Sequence, residues 1–229
     1  MLEQLKDQLL PANHPYTKLC QRVVSRLVYA NGLEQQRWVV HVIRDDDQAN
    51  AFCMPGGQIF VFTGILKYTR DEDGLAAVLG HEISHKVARH HAEQMSGRLW
   101  AFVFILAAAV LGDVSSNLSN TIYNLVFDLR NSRTQEAEAD QMGLLMMAKS
   151  CYDPHAAEVY WRTMVQMEHD KHQSTPQLLS THPASENRVK AIEHWIPEAM
   201  RMAEENDCRF TRDSLSNFSD SLRGQFRRF

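Results

Sequence analysis

Apolar residues recur at helical spacing in several parts of the chain. The first such segment follows Pro15, which suits the first turn of a helix, and it ends at Asn31 and Gly32, which are typical of helix C-termini. Its apolar positions are Leu19, Val23, Val24, Leu27 and Val28. Similar patterns follow Pro154 and Pro183. The periodicity therefore predicts a mainly helical chain.

A short region after the first helix has the composition of β-strands instead. Residues 38–43 form a run rich in β-branched side chains, and residues 51–54 and 58–63 form two more runs separated by Pro-Gly-Gly. This pattern predicts one strand followed by a hairpin. The acidic residues 45–47 lack the spaced ligands of a calcium loop, so we interpret them as a solvated turn. We therefore expect an α+β fold with a small sheet.

A long helix without proline is predicted to start after Asp71, a suitable N-cap, and to continue to about Met95. It contains an H-E-x-x-H motif. His81 and His85 are four residues apart and share one helix face, so both imidazoles can bind one metal ion. Glu82 lies beside that face. This arrangement is typical of a zinc peptidase, in which the carboxylate takes a proton from a water molecule.

Two more histidines, His90 and His91, follow on the same predicted helix. The five-residue step from His85 to His90 leaves the metal-facing side of the helix. We therefore interpret both residues as surface or packing residues.

A catalytic zinc site needs a third protein ligand, and residues 131–140 can supply it. Glu136 and Asp140 are four residues apart on a predicted helix, so one carboxylate can bind the metal while the other accepts a hydrogen bond from a ligand imidazole. Glu138 lies about 200° around the helix from Glu136 and cannot share that face. On composition alone either glutamate can be the ligand, but only Glu136 has a partner at i+4. A solvated charged surface is the alternative interpretation.

Composition narrows the class of protein further. The chain has 229 residues, 44% of them hydrophobic and 23% charged, which is ordinary for a globular protein. Its net charge of -4 gives no electrostatic basis for binding nucleic acid. We expect one compact domain over residues 1–206 and a C-terminal tail, 207–229, that is partly disordered. The N-terminal residues 2–10 are predicted to form a short helix, and we expect no targeting segment there.

The most apolar stretch runs from Leu99 to Leu111. A helix of this length reaches about 20 Å, whereas the hydrocarbon layer of a bilayer is about 30 Å thick. We therefore expect that the stretch does not span a membrane alone. Two interpretations remain open: a buried core helix, or a segment that lies against or dips into a membrane.

Taken together, the H-E-x-x-H motif and the downstream E-x-E-A-D segment resemble the membrane-associated zinc metallopeptidases typified by the CAAX prenyl protease and the heat-shock protease HtpX. Residues 50–64 and 180–185 match the same pattern in the same order, and the combination looks most like the OMA metalloendopeptidases of the mitochondrial inner membrane. The likeness covers roughly residues 50–195. It implies an α+β, mainly helical zincin (gluzincin-like) domain with a small antiparallel sheet next to the active-site helix.

The resemblance also implies roles for the motif residues. His81, His85 and Glu136 match the ligands of one Zn²⁺ per chain, and Glu82 matches the general base. Asp140 takes the place of an aspartate sometimes described as a proton donor. We favour an orienting role for it, because a carboxylate beside a zinc-bound imidazole is expected to be ionised.

Other residues are assigned by the same resemblance to loops around the metal. His182 matches a histidine proposed in relatives to be a removable zinc ligand or to contact the reacting carbonyl, and a cation at that position would stabilise the oxyanion. A capping or turn role for His182 is the alternative. Arg188 is expected to position its loop. Asn50 and Ala51 are expected to help position substrate, because an edge strand near the zinc helix can pair with an extended peptide. The alternative is that these strands only cover the core.

The implied cellular role is proteolysis of mitochondrial inner-membrane proteins under stress, including a dynamin-like fusion GTPase, with the catalytic domain facing the intermembrane space. We expect no family presequence or membrane anchor in this chain, and residues 99–111 are the expected membrane contact. Two alternatives stay open: a non-catalytic zinc-stapled binding or chaperone module, and a bacterial envelope quality-control protease of the same family. A homo-oligomer is also open.

The four cysteines lack C-x-x-C spacing, which disfavours a cysteine zinc site or a thioredoxin-like motif. In an oxidising compartment Cys151 and Cys208 could form a disulfide that joins the tail to the core and makes activity redox sensitive. This pairing is a hypothesis, because four cysteines permit three pairings.

Overall fold

The computed structural model describes residues 6–54, 56–90, 133–169, 176, 178–179 and 182–208. The stretch 99–111 and the tail beyond residue 208 lie outside the described residues. Six α-helices and three strands are found in the described part of the chain. They are α1 (Pro15–Ala30), β1 (Val39–Ile43), β2 (Ala51–Met54), β3 (Gln58–Phe62), α2 (Leu66–Thr69), α3 (Glu72–Val87), α4 (Arg133–Lys149), α5 (His155–His169) and α6 (Glu186–Glu205).

The N-terminal part of the chain follows the predicted helix only after residue 14. Helix α1 begins at Pro15 and is followed by Asn31 and Gly32, as predicted. The helix expected over residues 2–10 is wrong for the described residues, which form one turn of 3₁₀-helix at Lys6–Gln8 and then run beside β1. The reason is that backbone hydrogen bonds from this segment to β1 satisfy the free edge of that strand.

The sheet has the strand order β1-β3-β2. The predicted hairpin is confirmed, because β2 and β3 pair antiparallel, with Ala51 opposite Val61. The small sheet is mixed rather than purely antiparallel, because β1 and β3 pair parallel, with Val39 opposite Gln58. The connection 44–50 leaves room for one strand between β1 and β2. The apolar strand β3 occupies this central position and pairs along both of its edges, so β2 lies at one edge of the sheet.

Helix α3, which carries the H-E-x-x-H motif, lies at the centre of the molecule. Asp71 caps it as predicted, with its carboxylate accepting a hydrogen bond from the Gly74 amide at 2.9 Å. Residues 74–85 are all buried, because α1, β2, α4 and α5 all pack against the helix. The helix ends at Val87 rather than near Met95, and Arg89 follows in a left-handed conformation (φ 60°).

Helix α4 packs closely against α3 through a pair of glycines. A Cβ atom on Gly80 would lie 3.2 Å from the carbonyl oxygen of Gly143, and one on Gly143 would lie 2.9 Å from the backbone nitrogen of His81. The absence of side chains at these two positions lets the helix backbones approach directly. This contact fixes the distance between the helix that carries the histidine pair and the helix that carries Glu136.

The C-terminus of α6 is joined to the C-terminus of α4 by a disulfide bond between Cys151 and Cys208. The hypothesised pairing is therefore confirmed. Cys20 and Cys53 are buried free thiols. In the part of the chain that the structure describes, no helix combines the length and the apolar composition that crossing a bilayer requires.

Candidate metal centre

Four side chains from three parts of the chain meet in one buried cluster. His81 and His85 extend from α3, Glu136 extends from the first turn of α4, and His182 lies just before α6. One donor atom from each of the four lies within 4.8 Å of the others. The fold therefore brings together the two histidines and the glutamate expected as ligands and adds the histidine expected as a removable one.

The donor atoms form a group of the size that a tetrahedral zinc ion requires. Nε2 of His81 lies 3.0 Å from Nε2 of His85 and 3.2 Å from Nδ1 of His182. The Glu136 carboxylate is 3.5 Å from His81, 3.4 Å from His85 and 3.0 Å from His182. A tetrahedron with zinc–nitrogen bonds of about 2.0–2.1 Å has edges of about 3.3–3.4 Å. The residues present therefore fit one zinc ion.

His81 is held from behind by the carboxylate of Asp140, four residues after Glu136 on α4. Its Nδ1 lies 2.9 Å from Oδ1 of Asp140, which is buried. Burial acts to raise the pKa of Asp140, but the Arg188 guanidinium and His81 outweigh it and hold that pKa below its ordinary value. Asp140 is therefore an ionised acceptor for the Nδ1 proton of His81, which leaves Nε2 free for a metal.

Arg188 links α6 to both carboxylates. Its guanidinium donates two hydrogen bonds to Asp140, one of them at 2.7 Å, and lies 3.2 Å from Glu136. It also donates to the Pro183 carbonyl at 3.3 Å, next to His182. The face of the guanidinium stacks 3.4 Å from the centre of the Trp161 ring. These contacts attach the loop that carries His182 to α4.

The buried surroundings shift the pKa values of His81, His85 and Glu136 in different ways. Burial favours neutral His81, but hydrogen bonds to Asp140 and Glu136 outweigh it and raise the pKa of His81 to about 9. Burial, followed by the neighbouring His81 and His182, lowers the pKa of His85. Burial would raise the pKa of Glu136, but hydrogen bonds from His182 and His81 hold it far below its ordinary value. The ionised carboxylate and the neutral imidazole of His85 suit a cation, whereas His81 must give up its second proton before its Nε2 can bind one.

Glu82 is buried beside the donor cluster. Its Oε1 has no hydrogen-bond partner among the described residues and lies 3.4 Å from Nε2 of His182. The imidazole of His182 thus lies between the Glu82 carboxylate and the three other donors. A water molecule in a catalytic zinc site would need the same space.

The residues expected to position substrate lie on the edge strand. Ala51 begins β2, and Asn50 is buried with its Oδ1 unpartnered within the described structure. Strand β2 packs against α3. The structure places these two residues beside the motif helix, and neither is one of the four metal donors.

Two further residues contact the donors and were not singled out by the sequence. The Trp161 ring lies edge-on to His81, with 5.8 Å between ring centres. His90 is buried and contacts His85, so its interpretation as an ordinary surface or packing residue was incomplete. Helical spacing could not find His90 because α3 ends before it. Trp161 has the spacing of a core residue, and no motif marks it.

A mainly helical α+β domain with H-E-x-x-H on a buried helix, and a carboxylate donor on a second helix, is a zincin-type metallopeptidase domain. The chain belongs to peptidase family M48, whose family model matches residues 16–196. This finding confirms the resemblance seen in the sequence and the expected fold class.

Several of the individual relatives carry names that place them in mitochondria. Mitochondrial metalloendopeptidase OMA1 of Schizosaccharomyces pombe is 43% identical over 209 residues, which cover 91% of this chain and 61% of that protein. Its namesake in Saccharomyces cerevisiae is 32% identical, covering 96% of this chain and 66% of that protein. The human metalloendopeptidase OMA1 is 34% identical, covering 90% of this chain and 42% of that protein. The chain thus spans less than two thirds of the length of each of these relatives.

Proposed function

We propose that this domain is a zinc-dependent metalloendopeptidase of the OMA1 kind. The observation that carries the proposal is the tetrahedral spacing of four buried donors with the Glu82 carboxylate next to them. His81, His85 and Glu136 are the permanent ligands in this proposal, and Asp140 orients His81. Membership of a peptidase family supports the same assignment.

The proposed chemistry assigns proton transfer to Glu82. A bound Zn²⁺ supplies Lewis-acid activation of water and of the peptide carbonyl. Glu82 is buried, and no other described side chain satisfies its Oε1, so it is available to take a proton from the attacking water. It then returns that proton to the leaving amine. A substrate strand can pair with the edge of β2, where Asn50 and Ala51 lie.

In this proposal the arrangement in the structure is a closed, resting form. His182 lies within hydrogen-bonding distance of Glu136 and close to Glu82, where the water must enter. Departure of its ring would leave three protein donors and an open position, which is the pattern of catalytic zinc sites. Arg188 connects the loop that carries His182 to α4, because it binds the Pro183 carbonyl and the carboxylates of Glu136 and Asp140.

A second candidate function is a non-catalytic module in which zinc only staples the helices. The fourth donor, His182, favours it, because structural zinc sites are closed by four protein ligands. In this case the position of Glu82 beside the cluster has no role. The two candidates therefore make different predictions for Glu82 and His182.

One experiment separates them: zinc content and cleavage of unfolded casein are measured for the wild-type protein, Glu82→Gln and His182→Ala. We expect one zinc per chain in the first two proteins, cleavage by the wild type and none by Glu82→Gln. His182→Ala should bind zinc more weakly and cleave faster. Cleavage by zinc-loaded Glu82→Gln would remove Glu82 from the mechanism. Zinc binding without cleavage in both the wild type and His182→Ala would establish the structural module.

The cellular role is proposed from the relatives. Their printed names place them in mitochondria, so we propose a mitochondrial location for this protein. The finer proposal is stress-linked cleavage of inner-membrane proteins, including a dynamin-like fusion GTPase, from the intermembrane-space side, with residues 99–111 in contact with the membrane. Protease protection of the protein in mitochondria with intact and ruptured outer membranes tests the orientation. Protection that persists after the outer membrane is ruptured would contradict it.

A further inference from the structure

His90 lies just beyond α3 and faces back toward the metal cluster. The left-handed conformation of Arg89 turns the chain after the helix ends. The His90 side chain is buried, and its Nδ1 lies 2.9 Å from Nδ1 of His85. The two rings meet at 72°, with 5.0 Å between their centres. His90 therefore contacts a metal donor from the side opposite the metal, and it is not one of the four donors.

A metal ion held by the four donors would fix the positions of the protons along this contact. Nε2 of His85 faces His81 and Glu136, so a neutral His85 that binds metal through Nε2 must carry its proton on Nδ1. Nδ1 of His90 lies within hydrogen-bonding distance of that Nδ1–H and is then the acceptor. A neutral His90 with a free Nδ1 carries its own proton on Nε2.

The other ring nitrogen of His90 has a hydrogen-bond acceptor within reach. Its Nε2 lies 3.3 Å from Oε2 of Glu138, a carboxylate on the outer face of α4. A hydrogen bond donated by Nε2 to this carboxylate favours the His90 tautomer that leaves Nδ1 unprotonated. The direction of donation is therefore consistent from His85 through His90 to Glu138.

We propose that His90 is a positioning residue for the metal site: it accepts the hydrogen bond from His85 and so holds the His85 ring with Nε2 toward the zinc. This inference rests on the proposed metal site. It also gives each permanent ligand a partner behind it, because Asp140 holds His81 and Arg188 contacts Glu136. Glu138, which cannot reach the metal face of its helix, acts one step further out through His90.

Asparagine and leucine provide a matched pair of substitutions at this position. The amide oxygen of asparagine lies near the position of Nδ1 in histidine and can accept the same hydrogen bond, whereas leucine has a similar volume and no acceptor. Zinc affinity is measured for each metal-free protein by competition with a chromophoric chelator, and the visible spectrum of bound Co²⁺ reports ligand geometry. We expect His90→Leu to weaken zinc binding about 10-fold to 100-fold and to alter the Co²⁺ spectrum, as loss of such partners does in other sites. His90→Asn should retain most of the affinity and the wild-type spectrum.

Wild-type zinc affinity in His90→Leu, or an equal loss of zinc affinity in His90→Leu and His90→Asn, would overturn the proposal. If His90 only filled space, it would not matter whether its replacement could accept a hydrogen bond. Urea unfolding of the metal-free proteins monitors folding. If His90→Leu does not fold, His90→Gln replaces it, because the amide of glutamine reaches the Nε2 position rather than the Nδ1 position. Equal zinc affinity of His90→Asn and His90→Gln would then be the contrary result.

Glu138→Leu tests the hydrogen bond between His90 and Glu138. We expect a smaller loss of zinc affinity than in His90→Leu, because the Glu138 side chain is 54% exposed. Unchanged affinity would remove Glu138 from the chain of hydrogen bonds.

All these measurements use metal binding alone, so they are distinct from the test of the proposed function. A wild-type protein that binds no zinc would contradict the function itself, whereas a wild-type protein that binds zinc and a His90→Leu variant that binds it equally would contradict only this inference.

Discussion

At the scale of single residues, burial decides which groups in this protein can change charge. The three proposed permanent ligands and Asp140 are buried together, and each has an oppositely charged or hydrogen-bonding neighbour. At the free thiols of Cys20 and Cys53, burial outweighs the compensation from neighbouring groups. Burial raises the pKa of each thiol to about 12, with the nearby Glu82 adding to the effect at Cys53.

These thiols predict a loss of stability in alkaline solution. In the unfolded chain they ionise near the ordinary value of 9.0, whereas in the folded protein they stay protonated up to about 12. The unfolded state therefore releases protons first, and the stabilisation present below pH 9 is lost as the pH rises toward 12. The slope is at most about 1.4 kcal/mol per pH unit for each thiol.

Urea unfolding at several pH values between 8 and 11 measures this slope. The double variant Cys20→Ala/Cys53→Ala is the control, and its stability should fall less steeply with pH than that of the wild type. Parallel curves for the two proteins would show that the thiols ionise equally in the folded and unfolded states.

At the scale of elements, the central relationship is the contact between α3 and α4. The histidines lie on one helix and Glu136 on the other, so the metal site depends on how closely the two backbones approach. Gly80 and Gly143 set that approach. Both residues look like helix-weakening positions when each helix is considered separately.

Gly143→Ala should therefore weaken metal binding although alanine favours helix formation. Its Cβ would lie 2.9 Å from the backbone nitrogen of His81, so the helices must separate. Overpacking of this kind costs about 1–3 kcal/mol, which exceeds the gain of about 1 kcal/mol from helix propensity. We expect lower stability in urea and a loss of zinc affinity. Thr134→Ala, on an exposed position of α4, is the control. Wild-type zinc affinity in Gly143→Ala would contradict the role of the contact.

The helices and the donor pairs were predictable because they depend on local spacing. The start of α1 at Pro15, the N-cap Asp71 and the i, i+4 pairs on α3 and α4 all follow from helical geometry. The end of α3 and the parallel pairing of β1 with β3 were not predicted. Both depend on tertiary contacts between segments that are distant in sequence, which helical or strand periodicity does not encode.

At the scale of the whole molecule, the disulfide closes a loop that contains part of the metal site. Cys151 and Cys208 are 57 residues apart, and His182 and Arg188 lie between them. Arg26 of α1 contacts this corner, because its guanidinium donates to the Cys151 carbonyl and lies over the Tyr152 ring. The disulfide therefore holds α6, and the loop before it, against α4.

Reduction of this disulfide should destabilise the protein by about 4 kcal/mol, the value expected from the entropy of a loop of this length. Urea unfolding with and without dithiothreitol measures the change. Zinc affinity should fall along with stability, because His182 and Arg188 lose the constraint. The double variant Cys151→Ser/Cys208→Ser is the control and should not respond to the reductant. An equal response of the variant and the wild type would assign the effect to another group.

The meeting of His182 and Arg188 with α3 and α4 could be expected only from the family resemblance. These residues come from a loop and from α6, about 100 positions beyond His81 along the chain, and no local pattern connects them. Trp161 and His90 were missed for the same reason. Their contacts with the donors arise from the packing of α5 and from the turn after α3, respectively.

The proposed function requires four side chains that hold one zinc ion at this place. X-ray absorption spectroscopy of the zinc-loaded protein tests this directly. For the wild type we predict one zinc per chain with three imidazole nitrogens and one carboxylate oxygen at about 2.0–2.2 Å, and for His182→Ala two imidazoles. A sulfur ligand at about 2.3 Å, or the same number of imidazoles in both proteins, would contradict the proposed site.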